Sequence, residues 1–402
     1  MNNHFGEELS EQFGGQPEAP PREPAVAKLV GQMLEATPFK RDRPGNVYRY
    51  TGAYWEELSA PDLDHLAFNA DPKTTSGHRR SEIVKLLGAC CHDMAFSFGH
   101  EAGHEVAFEN GVLDVRTGRL RAHRAEDYLE SVLPWVWDAK AFNVKWHEAL
   151  DDYFGEASED GRHAALQEFA GYICLSSNKF KRALFLWGAG DTAKSLIVDV
   201  LAAIVGFERT SQLALEHMDD PKMRGVIKGK RLNVATEVSG RALIADAGFK
   251  VLVAGDPVLI DRKFKHQEMY RPIAKHVIAA NSLPALRGRA AEVFSRFIIL
   301  PLDRVFLPSE QDKDLTEKVL ADMPGVLAWA IAGARRLLEN GGLFTAITAS
   351  SPVLDEWEAE VNPMRDFIRE WMVKSEYDFT SLQLITEQLR RQVDRPEYIS
   401  SQ

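Results

Sequence analysis

Cysteine is scarce in this chain: only Cys90, Cys91 and Cys174 occur among 402 residues, two of them adjacent. No Cys-x-x-Cys pair or Cys/His spacing is present, so neither a disulfide framework nor a zinc site is suggested, and reduced thiols in a cytoplasmic protein are expected. Long apolar runs are also missing. None approaches the roughly 18 residues of a membrane span, and no charged-plus-apolar signal opens the sequence, which argues against a membrane role. Net positive charge is lacking as well. With 48 Lys/Arg against 59 Asp/Glu the balance is −11, which speaks against a protein coated with nucleic-acid-binding surface.

What is present is an ordinary globular composition, 45% hydrophobic and 27% charged, in a chain long enough for two or three domains. The charge is unevenly spread. Between Arg224 and Arg304 there are 15 Lys/Arg and 7 Asp/Glu, a local balance of +8 that leaves −19 for the remainder. This asymmetry suits a basic groove or channel in an otherwise acidic body; dispersed solvated charge is the plainer alternative.

Residues 1–26 are polar, proline-bearing and acidic, and are expected to be a disordered leader. Residues 27–145 read as a small mixed α+β accessory domain. It has a helix near Val26–Glu35, a hairpin around Gly45–Trp55, helices from Asp62 and over Ser81–Cys91, and a strand–Asn-Gly–strand over Val106–Val115. Residues 146–309 read as an α/β core with a largely parallel central sheet. After helices over Asn143–Leu175, apolar strand candidates stand at 183–187, 231–236, 257–260, 275–280 and 297–302. Helices over 310–340 and 352–375 dominate residues 310–402, with one further helix expected over 382–393.

The most informative stretch is Gly188-Ala189-Gly190-Asp191-Thr192-Ala193-Lys194-Ser195. It follows an apolar strand and opens a helical pattern, the layout of a phosphate-binding loop. Such a loop aims backbone N–H groups inward, and the helix N-terminus adds a positive dipole end. Lys194 would reach terminal phosphates and the Ser195 hydroxyl a magnesium ion. Ala193 stands where the standard pattern has glycine. A chance Gly-turn-helix with a surface lysine is the alternative for the motif taken alone.

Three further features lie downstream. Glu237 follows the strand 231–236, where a carboxylate on the strand neighbouring the loop strand would support magnesium and polarise water; an acid closing a strand is also commonplace. Asn281 ends the strand 275–280 and could orient that water, or simply begin a turn. Arg296, just before the last strand, could stabilise phosphoryl charge, with Arg287, Arg289 and Arg304 as local rivals. Between them, Asp261-Arg262-Lys263-Phe264-Lys265-His266-Gln267 reads as a basic hairpin tip. Arg262, Lys263, Lys265 and His266 suit a nucleic-acid backbone and Phe264 could stack; a solvated turn is the alternative.

In this order, GAGDTAKS, RLNVATE, basic hairpin, HVIAANSLP and SRFIILPLDRVF resemble the superfamily 3 helicases, and more closely the helicase portion of phage, plasmid and poxvirus primase–helicases. AFENGVLDVRTGRL, LQEFAGYICLS and PGVLAWAIAGARRLLENGG extend the resemblance over roughly residues 45–370. It implies an AAA+-like core that assembles as a ring, usually a hexamer, with ATP and Mg2+ at subunit interfaces and single-stranded DNA in the pore. It further implies Lys194 and Ser195 for ATP and metal, Glu237 as catalytic acid and metal support, Asn281 as sensor, and Arg296 as a finger given to the adjacent copy. Lys263, Lys265 and His266 match the DNA-gripping segment. A replication primase and other replication proteins are the partners such a motor implies; with only about 45 residues before the match, a primase domain is not expected within this sequence. The rival class is a catalytically weakened assembly protein, motivated by Ala193 and by Thr236 where a second acid is usual. A small-molecule kinase is a weaker reading, because it leaves the hairpin unexplained.

Overall fold

The computed structural model describes residues 25–361 except 74–75, 99–102, 156–159, 191, 237–242, 264–265 and 287–289, together with 381, 383, 384 and 387. Asp191, Glu237, Phe264, Lys265, Arg287 and Arg289 lie outside the described residues, as do the leader up to residue 24 and most of the expected 382–393 helix. The chain divides into two compact units, one running to Thr51 and including Glu56–Phe96, the other holding Gly52–Trp55 and everything from Ser97.

In the first unit, helices Val26–Ala36, Ala60–Ala70 and Gly77–Cys90 accompany an antiparallel pair, Phe39–Arg41 with Val47–Tyr50. Leu29, Val30, Phe39, Val47, Ile83 and Leu87 form its core. Ser59 starts the second helix through a capping box: its side chain accepts the Asp62 N–H while the Asp62 carboxylate accepts the Ser59 N–H.

This unit ends near residue 96 rather than 145. The reason is that the antiparallel strands Glu105–Phe108 and Gly111–Asp114 bury Val106, Phe108 and Leu113 in the same core as the central sheet. The hairpin stands where the sequence placed it, but its turn is Glu109-Asn110, one residue earlier than the expected Asn-Gly, because Gly111 already pairs with Phe108; a third strand, Arg119–Arg121, continues the meander.

The second unit is built around one parallel sheet. Helices α1 (Val144–Phe154) and α2 (Arg162–Cys174) lead into β1 (Ala183–Trp187), and α3 (Lys194–Val205) follows the loop. Then come β2 (Thr210–Ser211), β3 (Leu232–Ala235), an antiparallel hairpin of β4 (Val258–Ile260) and β5 (Glu268–Tyr270), β6 (Lys275–Ala280) and β7 (Phe297–Pro301). The sheet order is β7-β1-β6-β3-β2, every pair parallel, with β4 and β5 outside it as their own two-stranded ribbon. Strands this apolar are buried on both faces, which is what a parallel sheet covered by helices requires. β2 escapes sequence reading because it is two polar residues. It is held instead by the buried Asn233 of β3, whose side chain bonds the Ser211 hydroxyl (2.8 Å), the Leu213 N–H (2.7 Å) and the Leu213 carbonyl (3.0 Å).

α3 is apolar almost all round and is accordingly buried along its length, from Leu196 to Val205. The expected C-terminal helical span is split into α4 (Leu315–Leu320) and α5 (Met323–Glu339). Asn143 explains the break: its amide donates to the carbonyls of Val319 (2.8 Å) and Asp322 (2.9 Å) while its oxygen caps α1 at Trp146 N–H (2.8 Å). α5 crosses α2 so closely that a Cβ at Gly333 would sit 2.1 Å from the Gln167 carbonyl oxygen. Helix α6 (Ser350–Val361) closes the other face, with Trp357 fully buried against Phe185 and its indole N–H donated to the Pro284 carbonyl at 2.8 Å.

Candidate functional site

The loop after β1 is fixed at both ends. Trp187 accepts the Leu302 N–H at 2.7 Å, and the Gly188 N–H points to the Ala280 carbonyl at 3.3 Å. A Cβ on Gly188 would fall 2.5 Å from the Leu302 carbonyl oxygen, so only glycine lets the chain leave the sheet between β6 and β7 here. Ala193 caps α3 with φ −66° and ψ 0°, an ordinary right-handed conformation, and its methyl is packed into the core at 5% exposure. The backbone therefore has no need of glycine at this position.

The Lys194 ammonium folds into the loop. It donates to the carbonyls of Gly188 (2.6 Å) and Ala189 and to the Thr192 hydroxyl (3.2 Å), which itself donates to the Ala189 carbonyl at 3.2 Å. The cation is thus held where the strand end and the first turn of α3 meet. There the free N–H groups of a helix start favour an anion. Ser195 is exposed and, with Thr192, borders a cleft of about 440 Å³ walled by α1 and the 306–315 segment. Tyr153 and Phe306 meet edge to face across that wall (centroids 5.2 Å apart, 78°), and the Arg304 guanidinium lies 4.5 Å above Phe306. Burial pushes the Tyr153 hydroxyl up to about 12, so it stays a neutral donor.

β6 runs beside β1 with Ala280 opposite Trp187, which sets the exposed Asn281 next to Gly188. β3 lies on the far side of β6, with Ala235 opposite Ile278. The strand leading to Glu237 is therefore the second neighbour of the loop strand, about 10 Å away across two strand spacings. The sequence expectation of an immediate neighbour is corrected: β6, carrying Asn281, is inserted between.

Arg296 stands elsewhere. Its carbonyl accepts the N–H of Ala183, the first residue of β1 at 2.8 Å, so it marks the N-terminal edge of the sheet. Five residues of β1 separate that edge from the loop, about 16 Å of strand rise. Arg182 is beside it; burial first, and the Arg296 charge second, lower the Arg182 pKa. Of the rival arginines, Arg304 lies on the loop side of the sheet, near Asp152 (3.7 Å) and Glu310 (3.9 Å).

The hairpin also belongs to the N-terminal edge, since β5 passes through residues 271–274 into the start of β6. Lys263 and His266 are exposed at its tip. Arg262 is not presented outward in the same way: it turns back onto Glu268 at 2.8 Å. Two other cations of the basic stretch are consumed inside the protein. Arg231 donates to Ser131 Oγ (2.9 Å), the Ser131 carbonyl (3.1 Å) and the Cys174 carbonyl (3.2 Å). Lys275 donates to the carbonyls of Leu175 (2.5 Å) and Ile273 (3.0 Å) under the Tyr172 ring. Both are 2% exposed, and burial holds the Lys275 ammonium well below the usual lysine range. They satisfy carbonyls at the end of α2, a structural use of charge that no local sequence signal announces.

Among the described residues no cluster of three His, Cys, Asp or Glu could hold a metal by itself, and no helix is long and apolar enough to cross a membrane. A cation at the loop would depend on Ser195, Glu237 and a bound phosphate together.

Residues 40–155 match the family described as D5 N terminal like, and residues 186–296 match DUF5906, a family of unknown function. The protein named "Putative helicase 121R" of Invertebrate iridescent virus 3 is 24% identical over 230 residues, covering 51% of this chain and 23% of that protein. The chain thus spans less than a quarter of that relative's length. Among solved structures, the A form apo structure of the NrS-1 C terminal region aligns over 88% of this chain and 84% of its own, with a TM-score of 0.54 at 14% identity. A further apo structure of the NrS-1 C terminal region (305-718) aligns over the same shares with a TM-score of 0.52. At that identity the likeness is one of fold. The two family matches and the viral relative make the chain similar to phage and viral primase–helicases, and it shares its fold with the NrS-1 region.

Proposed function

We propose that the chain is a subunit of an ATP-dependent DNA helicase that replicates a mobile element, working as a ring with ATP between copies. The observation that carries this reading is the separation of Lys194 from Arg296 by the length of β1. An arginine at the N-terminal edge of the sheet does not serve the loop at the C-terminal edge of the same sheet. A site that uses both needs two copies, and that is the interface a ring repeats. In this arrangement Lys194 and the first turn of α3 bind the phosphates, and Ser195 with Glu237 holds Mg2+, which would neutralise phosphate charge when bound. Asn281 orients water, and Arg296 of the next copy stabilises charge spreading over the transferred group. Lys263 presents positive charge to single-stranded DNA from the opposite edge, with His266 exposed nearby and Lys265 between them in the sequence.

A fork-unwinding assay combined with mass measurement, with and without ATP and single-stranded DNA, tests the reading. Ring-sized assemblies that unwind support it; persistent monomers without unwinding would sink it. The second reading, a nucleotide-dependent assembly protein that does not unwind, loses one of its two motives, because Ala193 sits in a relaxed conformation. Its remaining motive is Thr236 in place of a second acid. DNA-stimulated ATP turnover that collapses in Lys194→Ala separates the two.

A further inference from the structure

The hairpin is mounted on charge that is buried beneath it. Along β4 and β5, Leu259 and Met269 face outward, while Val258, Ile260, Glu268 and Tyr270 face in. Glu268 is the anomaly: a carboxylate on the covered face, its side chain 7% exposed. It accepts from Lys228 Nζ through both oxygens (2.9 and 3.0 Å) and from Arg262 (2.8 Å), and the Lys228 side chain is itself 8% exposed. Two residues on, the Tyr270 hydroxyl accepts the Gly229 N–H at 3.0 Å and donates to Glu130 at 3.3 Å. A buried carboxylate with two cations adds less stability than well-packed apolar side chains of the same volume. What it adds is a single permitted geometry, because moving Glu268 away from Lys228 would break both short bonds of a buried ion pair.

The connections give that geometry a direction. Lys228 and Gly229 lie just ahead of β3, whose far end leads to Glu237. Glu268 and Tyr270 lie just ahead of β6, whose far end carries Asn281 beside the loop. The cluster therefore bolts the hairpin to the two strands that reach the nucleotide end of the sheet. We propose that Lys228, Glu268 and Arg262 are positioning residues that couple the hairpin to the nucleotide site, so that DNA contact at the tip and ATP turnover at the far edge change together. This rests on the helicase reading above, and it moves Arg262 from DNA contact to hairpin mount.

The test uses the full chain and measures ATP turnover without DNA and across a titration of single-stranded oligonucleotide. Wild type is compared with Lys228→Met, Glu268→Gln and the double variant, each with a thermal melt. Each single variant is expected to keep DNA-free turnover within about threefold while losing about tenfold of the stimulation at saturating DNA, and the double to be no worse than the worse single, because the pair is one link. The double variant guards against misfolding: it leaves only Arg262, which can carry its charge to solvent. Lys263→Gln is the contrast, raising the DNA concentration needed for half-stimulation while sparing the maximum. Full stimulation in the double variant overturns the mount, as does loss of DNA-free turnover in a variant that melts like wild type. If wild-type turnover ignores DNA altogether, the helicase reading fails first and the coupling falls with it.

Discussion

Lys194 and Arg296 occupy opposite ends of one pair of parallel strands: Lys194 opens the helix after β1, and Arg296 precedes β7, whose first residue pairs with the first of β1. Parallel register makes this unavoidable. A residue before one strand and a residue after its neighbour are separated by the strand's length, whatever their spacing in sequence.

The relationship predicts complementation. Lys194→Ala and Arg296→Gln should each abolish turnover alone, yet a mixture of the two should recover activity at interfaces that pair an intact loop with an intact arginine. Random mixing in a closed ring makes about one interface in four intact. ATP turnover measured against mixing ratio checks it; no recovery at any ratio means that the arginine does not act between copies.

Lys194→Ala alone should lower ATP turnover by about 100-fold or more, the scale of losing one preorganised charge aimed at a reacting group. Circular dichroism should show an unchanged fold, because the Gly188 and Ala189 carbonyls that accept from the ammonium lie in a surface loop.

Ala193→Gly restores the standard motif and should bring no gain. The residue already sits at φ −66°, so glycine would only add freedom to the unfolded chain, costing about 0.5–1 kcal/mol. Turnover should stay within about threefold of wild type, the range of minor local adjustment. A large rise in rate would show that the methyl obstructs phosphate binding after all.

Gly188→Ala should do more harm than either motif change suggests. Its methyl would meet the Leu302 carbonyl oxygen at 2.5 Å, forcing β7 and the loop apart. A loss of about 1–3 kcal/mol in stability is expected, as for overpacking elsewhere, with weaker nucleotide binding measured by titration calorimetry.

His276 in β6 provides a pH prediction. Burial, and secondarily the Lys275 charge, lower its pKa from 6.5 to about 4. Above pH 6.5 the folded and unfolded states are both neutral there, and the group has no effect. As pH falls from 6.5 towards 4 the unfolded state takes the proton first, so stability declines by up to about 3 kcal/mol. Denaturant unfolding should show this acid slope in wild type and a shallower one in His276→Gln.

The strand–loop–helix layout around residues 188–195 was legible in the sequence because it is local: eight consecutive residues lie between an apolar strand and an apolar helix. The strands of the sheet were legible for the same reason, apart from the two polar residues of β2, which Asn233 holds by side-chain bonds. The count of +8 between Arg224 and Arg304 was a poorer guide. Arg231 and Lys275 spend their charge on carbonyls at the end of α2, and Lys228 and Arg262 spend theirs on Glu268. A sum over sequence cannot tell a cation facing a groove from one closing a helix.

By itself, then, the sequence determined the α/β alternation, the glycine-bearing loop between β1 and α3 and the order of candidate acid, amide and arginine, since each depends on residues adjacent in the chain. Tertiary structure alone decided that Ala193 is unstrained, that β6 separates β3 from β1, and that Arg296 and the hairpin lie on the edge away from Lys194. The physical reason is register: parallel strands carry successive residues to opposite edges of a sheet, and only their pairing says which groups share an edge.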